Sequence, residues 1–372
     1  MKVSFDNNKL LFIFLTFCLL FWRIFLIIPL AVGYKYIAQI PHYIGKTPWS
    51  NFDGSHYLEI AAHGYIGYQQ AFFPFFPLLI NYSSKFIGHD LVHVSLFLTH
   101  GFFLIALFFF WKLMRLDYSQ KTSIWIIIFV FVFPTAFYFA SVYTESLFFA
   151  LVISSLYFAR KKQFLLACII AGLASATRIV GLFIIIPLII EIYNSIQLKK
   201  IHSEFIKSYL PLVIIPFGLI AYMIYLHIVY ADPLMFMHVQ PGFGAGRSGG
   251  EIILIPQVLW RYFKILMTVS HASLTFWVAI LELASFIGSI IVLLFALRKK
   301  IRLSYILFSI SLILFPSLSG TLSSIPRYII IVFPLYIFFA LLDIKIRIQL
   351  IIVFSTIQII LASLFLRGYF IS

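Results

Sequence analysis

The sequence predicts an all-α protein built into a membrane, on three observations. Hydrophobic residues make up 63% of the 372 and charged residues 10%, against roughly 25% charged in a soluble domain. The apolar residues fall in long runs, several near the roughly 20 residues that cross a bilayer as a helix. The Lys and Arg residues are distributed unequally between the loops that join those runs. Backbone polar groups in lipid must be satisfied within the segment, so such runs form helices. The 44 Phe fit lipid-facing and helix-packing surface, with membrane lipids as the surrounding partner.

The expected spans run in order along the chain. The first, Leu10–Val32, is longer than the roughly 7–15 apolar residues of a signal peptide and lacks a close small-residue cleavage site, so it reads as an uncleaved span. Leu91–Met114, Thr122–Ala140, Glu145–Ala159, Phe164–Thr177, Val180–Tyr193 and Tyr209–Val229 follow. Leu274–Leu297, Leu303–Ser319, Tyr328–Leu342 and Ile348–Leu366 complete about 11 transmembrane helices. Several are short for a straight crossing, and Phe164–Tyr193 can also be read as a broken pair that dips and returns. Residues 1–372 form a single multi-pass domain, with no internal repeat, soluble domain or low-complexity tail.

Charge orients the spans. With the N-terminus in the cytoplasm, seventeen of the 27 Lys and Arg residues fall on the inner side and nine on the outer, with Arg23 inside the first span. Lys2, Lys199 and Lys200 are among the inner ones. This obeys the positive-inside rule. The net charge of +15 is therefore a topology signal. No long basic run lies outside the membrane to track phosphates, so no nucleic-acid partner is expected. Cys18 and Cys168 both lie in apolar runs and read as buried free thiols.

The inner loops are short and basic, while the outer side carries two long segments, residues 33–90 and 230–270. Long loops held by a rigid scaffold are where function concentrates. The first contains Trp49–Pro77, the densest cluster of polar groups beside aromatics in the chain. A short helix starting near Gly54 would put Asp53, His56, Tyr57, Ile60 and Ala61 on one face. Asp53 is then either a general base for an acceptor hydroxyl or an N-cap. Phe72, Phe73, Phe75 and Phe76, punctuated by Pro74 and Pro77, form either a wall for an isoprenoid tail or an interfacial anchor.

Arg178 and Arg327 stand at outer-side junctions rich in Ser, Thr and Pro. A guanidinium at membrane depth is costly and needs a partner. Two readings stand: the pair holds one phosphate, or each pairs with an acid such as Glu145 or Glu251. Glu145 itself suits either a first-turn, helix-dipole role or a place in the site. Asp232–Gly250, with Gly242, Gly244, Gly246, Gly249 and Gly250, reads as a mobile loop suited to cover a site. Its GFGAG run is no dinucleotide fingerprint, since no strand surrounds it.

DxD, HExxH, GxSxG and P-loop patterns are all absent, as is any Cys/His cluster with metal spacing. No metal ligand and no cofactor are expected. Outer-face chemistry without a nucleotide needs a carrier already across the membrane, and a polyprenyl-phosphate sugar is such a carrier.

The pattern Trp49-x3-Asp53-x2-His56-Tyr57-x2-Ile60-Ala61-x2-Gly64-Tyr65, followed by AFFPFFP, resembles the phosphatidylinositol-glycan class V mannosyltransferase family, including its bacterial members. So do Tyr143-Thr-Glu145-Ser146, Ala176-Thr177-Arg178-x2-Gly181, Asp232-Pro233-x2-Phe236-x3-Gln240 and Ser323-Ser324-x-Pro326-Arg327-Tyr328, in order over residues 49 to about 334. Phe52 stands where the family more often has Trp.

The resemblance implies a C-type glycosyltransferase fold and an inverting transferase. A sugar, typically mannose, would pass from a polyprenyl-phosphate donor to a lipid or glycan acceptor on the non-cytoplasmic face. It implies Asp53 as base and Trp49, His56, Tyr57, Glu145, Arg178, Gln240, Arg327 and Tyr328 as substrate-binding residues. The setting would be a bacterial plasma membrane. The rival readings are a multi-pass transporter or lipid-linked sugar flippase, and a structural subunit of a glycosylating complex.

Overall fold

A computed structural model describes residues 7–40, 45–195 and 207–371. Lys2, Lys199 and Lys200, counted on the inner side above, lie outside the described residues. Every regular element among the described residues is helical. Five helical stretches are long and apolar enough to cross a membrane: Asn8–Tyr36, Leu91–Met114, Lys207–Tyr230, Leu274–Arg298 and Ile344–Leu366.

The other expected spans are shorter helices, and prolines account for several of their breaks. The first span is interrupted at Leu26, between helices Asn8–Phe25 and Ile27–Tyr36, because Pro29 cannot bond to the Phe25 carbonyl four residues back. The helix Gln120–Val132 stops short of Ala140. Pro134 disfavours a helical conformation at Phe133, which is extended at ψ 139°. Phe164–Ser175 and Ile185–Ser195 are separate helices. The chain turns between them at Arg178, whose backbone is extended at φ −155° and ψ 143°.

The expected span Tyr328–Leu342 departs furthest. It is a one-turn helix Ile325–Tyr328, a 3-10 turn Ile329–Ile331 and a helix Pro334–Ala340. Nearly all of it is buried, which is how irregular backbone is tolerated at membrane depth.

The helix Glu145–Arg160 forms the centre of the bundle, with twelve of its 16 residues buried. It lies against Leu91–Met114 and Phe164–Ser175. At its C-terminal end Arg160 donates to Asp117 at 2.6 Å and to the Tyr305 hydroxyl at 2.9 Å. Arg302 reaches the same Asp117 carboxylate at 3.1 Å, and Ser304 donates to Glu191 at 2.6 Å. A second polar cluster begins at Glu145. The rise of 1.5 Å per residue separates the two ends of this helix by about 22 Å.

The segment 33–90 is not an open loop. It holds the helices Asp53–His63 and Phe75–Ile87. The second outer segment contains the amphipathic helix Ile255–Thr268.

Candidate active site

Asp53 is the first residue of the helix Asp53–His63, and the turn before it is tied down at three points. The Trp49 carbonyl accepts the Val142 N–H at 2.9 Å. The Asn51 carbonyl accepts the Tyr143 hydroxyl at 2.9 Å, and Asn51 Nδ2 donates to the Phe365 carbonyl at 2.8 Å. Between these ties Phe52 is held at φ 55° and ψ −118°. Such strain persists only where the surroundings over-determine the backbone. Gly54 lets the helix start approach the core: a Cβ there would sit 3.2 Å from the Val142 carbonyl oxygen.

Asp53 does not cap the helix, since Phe52 occupies the N-cap. Its carboxylate instead pairs with Arg327 Nη1. Arg327 enters from Ile325–Tyr328, a one-turn helix preceded by Ser324 in the left-handed region at φ 72°. Its Nε lies 3.2 Å from Glu145 Oε1, an ion contact in which the N–H direction misses the oxygen and makes no hydrogen bond. The same Oε1 accepts Arg178 Nη2 at 2.8 Å. The result is a chain of alternating charge, Asp53, Arg327, Glu145, Arg178, drawn from four separated stretches of sequence. Arg178 also lies over the Tyr328 ring, 4.8 Å from its centroid. Glu145 is fully buried, and its Oε2 has no partner among the described residues.

A cavity of about 340 Å³ lies against this chain. Asp53, Tyr57, Arg178, Gln240, Arg327 and Tyr328 all line it. Phe72, Phe73 and Phe236 give it an apolar wall. The glycine segment supplies another side, where Phe243 packs on Tyr68 at 4.7 Å and Phe72 at 5.4 Å. That segment is pinned by Ser248 N–H to the Ser319 carbonyl at 2.8 Å and Ile253 N–H to the Leu318 carbonyl at 2.8 Å.

Phe75 and Phe76 of the expected aromatic wall do not line the cavity, and neither do three of the nine expected catalytic and substrate-binding residues. Trp49 is buried beneath the Asp53 turn, with the Arg23 guanidinium 4.1 Å from its ring centroid. His56 turns aside, stacking on Phe72 at 5.0 Å with Gln69 Nε2 3.3 Å from its Nδ1. Glu145 sits behind the arginines as their shared counter-ion. Its side chain is part of the charge chain, so neither simple alternative for it describes the whole arrangement.

Two residues escaped the sequence reading. Arg247, from the glycine segment, lines the cavity and donates to Ser324 Oγ at 3.2 Å. Glu282, on Leu274–Arg298, is buried and accepts the Tyr262 hydroxyl. The Tyr262 oxygen in turn accepts the Leu322 N–H at 3.0 Å, which steadies the turn before Ser324. A lone acid in an apolar run was the available signal for Glu282. A lone Arg among glycines was the signal for Arg247.

Burial pushes the Asp53 carboxyl up, but the Arg327 guanidinium, with Arg247 and His56 adding to it, holds it below the usual carboxylate range. Burial likewise pulls the Arg247 guanidinium down, against the pull of Asp53. Among the described residues no three His, Cys, Asp or Glu side chains gather as metal ligands. The arrangement can hold an ionised carboxylate against a substrate and present cations to an anionic group in the same cavity. Comparison with family models, with curated proteins and with solved structures finds no match to this chain.

Proposed function

We propose that the protein is an inverting glycosyltransferase that takes a sugar, mannose by its motif resemblance, from a polyprenyl-phosphate donor. The acceptor is a lipid or glycan hydroxyl on the non-cytoplasmic face of a bacterial plasma membrane. The observation that carries this reading is one cavity lined by an ionised Asp53, three arginines and an apolar aromatic wall. The ordered motifs and the charge asymmetry of the loops support it.

In the proposed step the acceptor oxygen attacks the anomeric carbon from the face opposite the phosphate. Asp53 takes the acceptor proton as general base. The bond from the anomeric carbon to the phosphate oxygen breaks, and its electron pair leaves with the polyprenyl phosphate. Arginine side chains lining the cavity stabilise the charge that grows there. Asp53 acting as the single base, with no covalent step assigned to the exposed Glu251 that also lines the cavity, corresponds to inversion.

The test is transfer of labelled mannose from decaprenyl-phosphate mannose by purified protein, with a membrane-lipid and glycan extract as acceptor. Asp53→Asn is expected to keep donor binding and lose about 10²–10⁴-fold in rate. A near-normal rate in Asp53→Asn would remove the base assignment. Donor binding without transfer by the wild type across acceptor extracts would favour a flippase instead.

A further inference from the structure

The charge chain leaves an arginine over. Glu145 is a buried carboxylate and Asp53 a partly buried one, and Arg327 and Arg178 are the two cations that pair with them. Within that set of four the charge is already balanced. Arg247 lines the same cavity and makes no ion pair among the described residues; it donates a hydrogen bond to a neutral hydroxyl, Ser324 Oγ. Glu251 also reaches the cavity, but it is exposed and pairs with none of these arginines.

Two other donors on the wall are unspent. Arg178 is 8% exposed and its Nη1 has no partner among the described residues. Ser323 is 7% exposed and its Oγ has no hydrogen-bond partner among the described residues. Both residues line the cavity. A buried donor without a partner is costly, and a cavity that gathers one unbalanced guanidinium and two unpartnered donors is matched to an anion.

We infer that Arg247 is the residue that reads the phosphate group of the substrate, with Arg178 Nη1 and Ser323 Oγ completing the seat, while Arg327 serves to hold the carboxylates. This deepens the glycosyltransferase reading and rests on it for the identity of the phosphate. The guanidinium arrives on the glycine segment, which is pinned by the Ser248 N–H to the Ser319 carbonyl, and it reaches Ser324 Oγ directly. The segment that closes one side of the cavity therefore also carries the charge that selects its ligand. The shared chemistry is a phosphate oxyanion, from a lipid phosphate or from free phosphate.

The test uses the full-length protein in detergent and three probes: decaprenyl phosphate, decaprenol and inorganic phosphate. Wild type is expected to prefer decaprenyl phosphate to decaprenol. Arg247→Gln is expected to lose about 10- to 100-fold of that preference, the worth of one charge-assisted hydrogen bond, with decaprenol binding unchanged. Arg247→Lys should restore part of it, and Ser324→Ala, which leaves the charge in place, should keep most of it. Arg247-dependent binding of inorganic phosphate would assign the seat to free phosphate as well. A preference within twofold of wild type in Arg247→Gln would overturn the inference. Transfer assays separate the two readings. Equal donor KM in wild type and Arg247→Gln, with transfer intact, removes the role of Arg247 and leaves the enzyme. Arg247-dependent phosphate binding without transfer by any form removes the enzyme and leaves the anion seat.

Discussion

Asp53 stands between two opposed pressures, and Arg327 decides the outcome. Burial favours the neutral acid, while the guanidinium beside it favours the anion and wins. The folded value lies below the unfolded one of about 4. Its contribution to stability is therefore complete above that pH and is lost as pH falls through the folded value. Arg327→Gln removes the stabilising cation, so the acid limb of the pH–rate profile should move to higher pH. An unmoved limb would mean that Arg327 does not set the basicity of Asp53. The same change leaves the buried Glu145 and the partly buried Asp53 under-compensated and should cost about 3–5 kcal/mol, read from thermal unfolding. Pairing it with Asp53→Asn should recover part of that loss, because the two effects are coupled. The sequence made Asp53, Arg178 and Arg327 visible as rare charges in aromatic and Ser/Pro-rich surroundings. It hid who pairs with whom: Glu145 and Arg178 are 33 residues apart and Asp53 and Arg327 are 274 apart, and spacing along the chain carries no trace of contacts of that length. Arg247 was legible only as a charge in a flexible-looking loop.

At the scale of elements, what holds the site is the close approach of short helices, and glycine makes it possible. Gly218, on the helix Phe217–Tyr230, faces the backbone of Phe164–Ser175. A Cβ there would lie 2.2 Å from the Gly172 carbonyl oxygen and 2.5 Å from the Ala176 nitrogen. Small residues allow this contact between membrane helices. Neither neighbour is a movable side-chain tip, so the helices would have to part, shifting Ala176, Thr177 and Arg178. Gly218→Ala should therefore cost about 1–3 kcal/mol and reduce transfer. Gly101→Ala, where nothing lies within 4 Å of the added carbon, should be neutral or slightly stabilising. Equal melting temperatures for the two variants would show that the Gly218 contact is not a constraint. The apolar runs announced these helices because hydropathy marks any segment hidden from water. Their ends were less legible: Pro29 and Pro134 break bonds inside runs that stay apolar throughout. Hydropathy also cannot separate lipid-facing surface from protein interior, which is why the buried, irregular 328–342 stretch looked like a span.

Across the whole molecule, polarity collects at the two ends of the central helix. Asp53, Glu145, Arg178 and Arg327 gather at one end, and Asp117, Arg160, Glu191 and Arg302 at the other. Both clusters pair their acids with arginines, so pairing alone does not orient the protein. The proposed orientation rests on lysines. Lys161, Lys162, Lys299 and Lys300 follow the helices that end at Arg160 and Arg298, and an excess of such residues stays on the cytoplasmic side. The proposed topology therefore puts the cavity outside the cell, where a lipid-linked donor is the available kind of sugar. Single cysteines read this out. His63→Cys, at the exposed end of the Asp53 helix, should react with a membrane-impermeant maleimide on intact cells. Lys161→Cys, exposed at the opposite end, should react only after permeabilisation. The native thiols give little background in this assay, since Cys168 is buried and Cys18 is partly so within an apolar helix. The reverse labelling pattern would place the cavity in the cytoplasm, where nucleotide sugars are accessible, and would remove the reason for invoking a polyprenyl carrier.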